Sequence, residues 1–282
     1  MTDRDRFTRA FEVSRGPRRI VCLTEEPTEV LYLLGEGDRV VGISAYTVRP
    51  PEARRAKPVV SAFAGASVDK IRALKPDLVI GFSDIQADLA RALIAANLQV
   101  LIFNQRSVQE ILDVIVDIGS LVHKREQAEA LVAGYIRRLE AATRRGAKRS
   151  YRPKVYFEEW DAPTICGIRW ISELIEIAGG IDVFAERAHR RSARDRQVTV
   201  EDIARRAPDV ILASWCGKPF DADALARRPG MRSVPAVAHD RVHEIPAEVI
   251  LQPGPACLTD GLARIEALLF PGEPSVATEA AR

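Results

Sequence analysis

Val68-Asp69-Lys70-Ile71-Arg72-Ala73-Leu74-Lys75-Pro76-Asp77-Leu78-Val79-Ile80-Gly81 returns 132 positions later as Val200-Glu201-Asp202-Ile203-Ala204-Arg205-Arg206-Ala207-Pro208-Asp209-Val210-Ile211-Leu212-Ala213. In the first copy Val68, Ile71 and Leu74 fall at helical spacing. Pro76 ends that helix, because proline has no amide donor and disfavours a helical predecessor. Leu78-Val79-Ile80 then reads as a buried strand. In the second copy a valine, an acid, an isoleucine, Pro-Asp and an apolar triplet recur in register. One such unit per half predicts two lobes of like topology.

Outward from the first copy, Arg19-Ile20-Val21-Cys22-Leu23 is a short apolar run. It is followed by a polar segment, Thr24-Glu25-Glu26-Pro27, read as a loop. A helix is expected from about Thr28 to Leu34, capped by Thr24 or Thr28 and stopped by Gly35. Val40-Val41-Gly42-Ile43, Val59-Val60 and Val100-Leu101-Ile102-Phe103 read as further strands, with a helix at 86–97. Alternation at this pace argues for an α/β fold with a parallel sheet covered on both faces. Between the halves, 126–148 carries an apolar stripe of Ala128, Leu131, Val132, Tyr135, Ile136 and Leu139 at helical period. This is either one more covering helix or a stiff rod joining the lobes. Tyr151-Arg152-Pro153 breaks it, and Lys154-Val155-Tyr156-Phe157 starts the second half. The expected organisation is an N-terminal extension at 1–17, lobes at 18–125 and 149–271, a connecting helix at 126–148 and a tail at 272–282.

The chain has 282 residues, of which 47% are hydrophobic and 28% charged, and its formal net charge is +2. That balance gives no reason to expect a nucleic-acid partner. No apolar run of about 18 residues is present, so no membrane-spanning helix is expected. Residues 1–19 lack the apolar core of a secretory signal, which leaves the compartment open. Cys22, Cys166, Cys216 and Cys257 are far apart in sequence and read as buried thiols. There is no Walker loop, GxGxxG, GxSxG or HExxH. His239 and His243, read as turn and strand, would be too far apart to share a metal, and His123 and His189 are isolated. Glu25-Glu26 and Glu158-Glu159 with Asp161 read as acids on a cleft rim, since no nucleophile or base accompanies them. Arg187, Arg190, Arg191, Arg194 and Arg196 form either a solvated loop or a site for an anionic ligand.

The stretches Arg19-Ile20-Val21, Thr28-Glu29, Leu33 to Gly35 and Val40-Val41-Gly42-Ile43-Ser44 resemble the first lobe of ABC-importer substrate-binding proteins. Tyr46-Thr47, Pro50-Pro51, Phe63-Ala64-Gly65 and the first repeat look especially like the cobalamin- and ferric-siderophore-binding branch. Leu174 through Ala178-Gly179-Gly180, Val183-Phe184 and the second repeat fit it too. The resemblance covers about 18–270. It implies two Rossmann-like lobes with parallel-rich sheets, joined by one long backbone helix, with no catalysis and no covalent cofactor. The ligand would be cobalamin, another corrinoid or a ferric chelate, held by a monomer between the lobes. The partner would be an importer permease, docked through one exposed acid per lobe, here Asp69 and Glu201. The resemblance also implies a periplasmic location.

Ligand contacts in open α/β sheets come from loops at the carboxyl ends of the strands. By position these are Glu25, Tyr46, Phe63, Phe82, Gln105, Trp160, Arg169, Trp170, Trp215 and Glu248. All three tryptophans are read as second-lobe loop residues that could stack on a flat ligand. The competing readings are a haem or siderophore binder, a cytosolic sensing module without a permease and, last, a tetrapyrrole chelatase.

Overall fold

A computed structural model of the chain describes residues 16–62 and 65–273. Phe63 and most of the expected extension and tail lie outside the described residues. The first lobe holds β1 (Ile20–Cys22), β2 (Val40–Ser44), β3 (Val59–Ser61), β4 (Leu78–Phe82) and β5 (Val100–Phe103). These alternate with α1 (Glu25–Leu33), α2 (Pro51–Ala56), α3 (Val68–Ala73), α4 (Ala87–Ala95) and α5 (Val108–Leu121). The strands form one parallel sheet in the order β3-β2-β1-β4-β5. Its central strands are buried on both faces, which is why they read as unbroken apolar runs rather than alternating ones.

A single helix, α6 (Arg125–Ala147), leads into the second lobe. There β6 (Lys154–Asp161), β7 (Thr164–Cys166), β8 (Ile181–Asp182), β9 (Val210–Ala213) and β10 (Val242–Glu244) form the second sheet. Its order is β10-β9-β6-β7, with β8 beside the start of β6 and only the β6–β7 pair antiparallel. The helices of this half are α7 (Arg169–Ile177), α8 (Ala185–Ala188), α9 (Val200–Arg206), α10 (Ala222–Arg227), α11 (Pro235–Ala238), α12 (Ala247–Ile250) and α13 (Leu262–Leu269). A π-helical turn at Cys257–Gly261 feeds α13.

The sequence repeat is also a repeat of hydrogen bonding. Ser67 and Thr199 cap α3 and α9, accepting from the amides of Lys70 (3.3 Å) and Asp202 (3.1 Å). The residue before each proline is left-handed, Lys75 at φ 47° and Ala207 at φ 46°. Each following aspartate clasps the first strand of its own sheet. Asp77 accepts from the amides of Arg18 (2.7 Å) and Arg19 (2.9 Å), and Asp209 from the amide of Lys154 (2.8 Å).

Two local expectations fail. Helix α1 begins at Glu25, so Glu25-Glu26-Pro27 is its first turn and not a loop. Proline near the start costs no hydrogen bond, because the first amides of a helix are unpaired anyway. Thr24 occupies the cap position, but its hydroxyl donates to Glu26 Oε1 at 2.9 Å instead of accepting from an amide. Gly35 does supply the left-handed stop, at φ 74°.

Asp77→Ala and Asp209→Ala are each expected to cost about 1–2 kcal/mol, read as a drop of about 2–4 °C in Tm per kcal/mol. Because the clasps lie in different sheets, the double variant should show the sum of the two losses within about 0.5 kcal/mol.

Candidate functional site

The carboxyl edges of the two sheets face each other, and the loops they carry meet. The Tyr46 hydroxyl, after β2, lies 3.8 Å from where a Cβ on Gly217, after β9, would stand. A Cβ on Gly254 would come within 2.6 Å of the Glu26 Cβ, so glycine is what lets the second lobe seat on α1. Gln105, after β5, donates from Nε2 to Pro253 O at 3.0 Å.

The seam behind this cleft is polar and paired. Glu29 accepts from Arg49 Nε (2.9 Å) and from the amide of Ala256 (3.2 Å), and Arg49 also reaches Asp260 at 2.8 Å. Glu173 of α7 accepts from the amide of Val108, at the start of α5, at 2.7 Å. Arg145 of α6 forks onto buried Glu266 at 2.8 and 2.9 Å.

The first-lobe wall is acidic at its centre. Glu25 and Glu26 are only 5% and 3% exposed, and the Oε2 atom of each is without a hydrogen-bond partner. Burial, reinforced by Glu26, Glu248 and Glu29, pushes the Glu25 carboxyl up to about 9. Burial likewise pushes Glu26 up to about 7, opposed by hydrogen bonds from its own amide and Thr24. Glu248 and Cys216, both on the second lobe, are the groups that sense Glu25 across the gap.

The second-lobe wall is built on Glu158, which is fully buried. Its carboxylate takes four donors: Tyr156 Oη (3.0 Å), Trp215 Nε1 (3.0 Å) and a bidentate Arg228 (2.7 and 2.8 Å). That network orients Trp215, which meets Phe220 edge-on at 4.9 Å. Lys218 Nζ sits 4.8 Å from the Trp215 ring and 4.5 Å from the Trp160 ring, anchored at 2.6 Å to Asp161. Two indoles therefore clasp one ammonium group.

The far end of the cleft is basic. Arg106 lies over the Phe82 ring at 5.2 Å and pairs with Asp84 at 2.9 Å. Arg196 forks onto Glu159 at 2.7 and 3.0 Å. Burial, and then Arg196 and Arg191 across the gap, hold Arg106 below its ordinary value, against the pull of Asp84 and Glu159. The Nε atoms of Arg106 and Arg196 are buried without partners, as is Gln105 Oε1.

Of the expected ligand contacts, Glu25, Tyr46, Gln105, Trp160, Trp215 and exposed Glu248 therefore lie at or beside the gap between the sheet edges. Phe82 is buried beneath Arg106. Trp170 is not in a loop: it sits in α7, 3% exposed, and donates from Nε1 to Ile250 O at 3.0 Å, as a core residue. Trp160 is on β6, which leaves Trp215 as the loop tryptophan. Arg169 is bound to Glu173 at 2.8 Å and so belongs to the seam. Asp69 and Glu201 are exposed at matching positions in the first turns of α3 and α9. The solvated-loop reading holds for Arg190, Arg191 and Arg194, but Arg196 is buried. Glu158 is not a rim acid, because its burial is satisfied by four donors. Cys216 is exposed, unlike the other thiols, while His239 lies in the turn after α11 and His243 on β10, as the turn-then-strand reading expects. Arg106 and Lys218 were missed. Each directly follows, or comes shortly after, a residue already assigned to the cleft, Gln105 and Trp215.

Two like α/β lobes with facing strand ends, one rigid helix between them and buried polar groups in the gap define a substrate-binding fold. The chain belongs to the periplasmic binding protein family, whose pattern it matches over residues 20–249. It is 26% identical over 268 residues to an uncharacterized ABC transporter substrate-binding lipoprotein of Bacillus subtilis, spanning 92% of this chain and 82% of that one. The vitamin B12-binding protein of Vibrio cholerae is 26% identical over 245 residues, 85% of each chain. The crystal structure of the V. cholerae periplasmic vitamin B12 binding protein superposes with a TM-score of 0.70 at 25% identity, covering 90% of this chain and 97% of that one. A periplasmic heme binding protein of Pseudomonas aeruginosa gives 0.78 at 19% identity, covering 92% and 95%.

Glu25 keeps its proton in the folded protein up to about pH 9 but loses it in the unfolded chain near its ordinary 4.5. The unfolded state then binds fewer protons, so stability falls as pH rises through that window. Glu25→Gln should therefore melt above the wild type near pH 8, with the difference vanishing near pH 4. Arg228→Met leaves the buried Glu158 carboxylate without its cation, and is expected to cost about 3–5 kcal/mol in urea unfolding. The double variant Arg228→Met/Glu158→Gln should recover part of that loss.

Proposed function

We propose that this chain is a non-catalytic solute-binding protein that holds cobalamin or another corrinoid between lobes 18–125 and 149–271, joined by the connecting helix 126–148, and delivers it to an ABC importer. The observation that carries this reading is the make-up of the cleft. Half-buried Trp160, with Lys218 between it and buried Trp215, offers a flat face, while opposed walls carry buried polar atoms with no protein partner. Buried polar groups are ordinarily paired, so these atoms are suited to a large ligand with many peripheral hydrogen-bonding groups. The relative named for vitamin B12, similar along most of both chains, supports the same reading.

A second reading is a haem or ferric chelate, and a specific observation favours it. Arg106 and Arg196 lie at one end of the cleft, each with a buried Nε atom that no protein group meets, and arginine is the side chain suited to recognition of anionic oxygens. Neighbouring folds include proteins described as heme-binding.

For delivery, Asp69 and Glu201 would be the docking acids on the permease. Each is exposed in the first turn of a short capped helix, one per lobe. Complementary charge suits reversible docking.

Intrinsic tryptophan fluorescence, corrected for absorbance by the chromophore, separates the readings. Saturable quenching by cyanocobalamin, weakened about tenfold in Trp160→Ala and unchanged in Trp170→Phe, is expected if the indole pair meets a corrinoid. Saturation only with haem, a ferric catecholate or a ferric hydroxamate assigns the cleft to the anionic ligand. The double reversal Asp69→Arg/Glu201→Arg should leave the Kd for cobalamin within about twofold while abolishing stimulation of the permease's ATPase in proteoliposomes.

A further inference from the structure

We infer that Glu25 selects the ligand by its edge: its carboxyl group pairs with a primary carboxamide on the corrinoid periphery through two antiparallel hydrogen bonds. This assignment rests on the corrinoid reading above and names the chemistry of one contact within it.

Three observations carry it. Glu25 stands in the first turn of α1, where the first sheet meets the second lobe, and is 5% exposed with Oε2 unpaired. The charged groups that face it are all acids: Glu26 and Glu29 on its own helix, and Glu248 on α12. The guanidinium of the seam, Arg49, is committed to Glu29 and Asp260. Cys216, the remaining titratable neighbour, brings a thiol and no positive charge.

An ionised carboxylate buried there would face three further acids and no cation, an arrangement that drives a group to take up a proton. A protonated carboxyl presents one O–H donor and one carbonyl acceptor side by side. A primary carboxamide presents the complementary acceptor and donor, so the two close an eight-membered ring with every polar atom satisfied. A ligand edged with carboxylates meets Glu26, Glu29 and Glu248 instead. Gln105 Oε1, a further buried and unpaired acceptor on this wall, likewise requires a donor from the ligand. The acidic centre and the arginine end thus read different edges of one ligand.

The test uses the full chain, cyanocobalamin and the set of its monocarboxylic acids, in which one peripheral carboxamide is hydrolysed. Wild-type affinity for cyanocobalamin should be level between pH 6 and 8 and weaken about tenfold by pH 10, as the O–H donor is lost. Glu25→Gln, which keeps a donor and an acceptor at every pH, should bind like the wild type at pH 7 and show no fall at high pH. Glu25→Ala should bind about tenfold more weakly throughout. One monocarboxylic isomer should be rejected by the wild type by at least about tenfold relative to cyanocobalamin. A protonated-carboxyl band in the infrared difference between unliganded wild type and Glu25→Gln at pH 7 reports the proton itself. Tight cobalamin binding with Glu25→Ala equal to wild type, or with the pH fall persisting in Glu25→Gln, overturns this assignment alone. Wild-type binding of haem or a ferric chelate but of no corrinoid overturns it together with the corrinoid reading, and the first titration shows which has failed.

Discussion

Glu29 is claimed by both lobes at once. One oxygen takes the Arg49 guanidinium of its own lobe, the other the amide of Ala256 on the far side. Arg49 then bridges onward to Asp260. Around this point the seam closes: Gly254 against Glu26, Gln105 on Pro253, and Glu173 on the first amide of α5. Such contacts are individually modest, but a buried carboxylate stripped of its partners is costly. The seam therefore sets the separation of the two walls, and the rest of the cleft inherits that spacing.

Chemistry is segregated within the gap. Carboxyl groups gather where α1 meets the second lobe, arginines gather past β5, and the indole pair with Lys218 lies on the second-lobe side. Glu158 is the hidden support of that side. It touches no solvent, yet it fixes Trp215 and is itself fixed by Arg228. A carboxylate with four donors in a dry site holds one geometry, which is what a stacking surface requires.

The fold was legible because its signals are local. Pro76 and Pro208 stop helices whichever way the chain then turns, and Leu78-Val79-Ile80 is apolar throughout because both faces of that strand are covered. The stripe from Ala128 to Leu139 marks the rod between the lobes because only one face of that helix is covered. The site was legible only in part. Thr24-Glu25-Glu26-Pro27 reads as a loop by composition, and only its packing under the second lobe makes those acids buried. Trp170 and Trp215 look alike in sequence, each beside a small or basic residue. One is committed to Ile250 in the core and the other to Glu158 at the cleft. Pairings such as Arg196 with Glu159 join residues 37 apart, and no spacing rule announces them.

Helix α6 is 23 residues long, without proline and with a single interior glycine, Gly134, ahead of Gly146 in its last turn. Gly146 packs its backbone against Gly179, and Arg145 is locked to Glu266. A continuous helix fastened to the second lobe at its far end is a stiff tie between the two walls. Such a tie opposes a wide opening of the lobes, in contrast to a flexible linker that would leave the two walls free to separate. The cleft is then shaped before its occupant arrives, and little ordering entropy is spent on capture. Selectivity in such a protein resides in thickness and edge chemistry, and a ligand too thick for the gap is excluded instead of being accommodated.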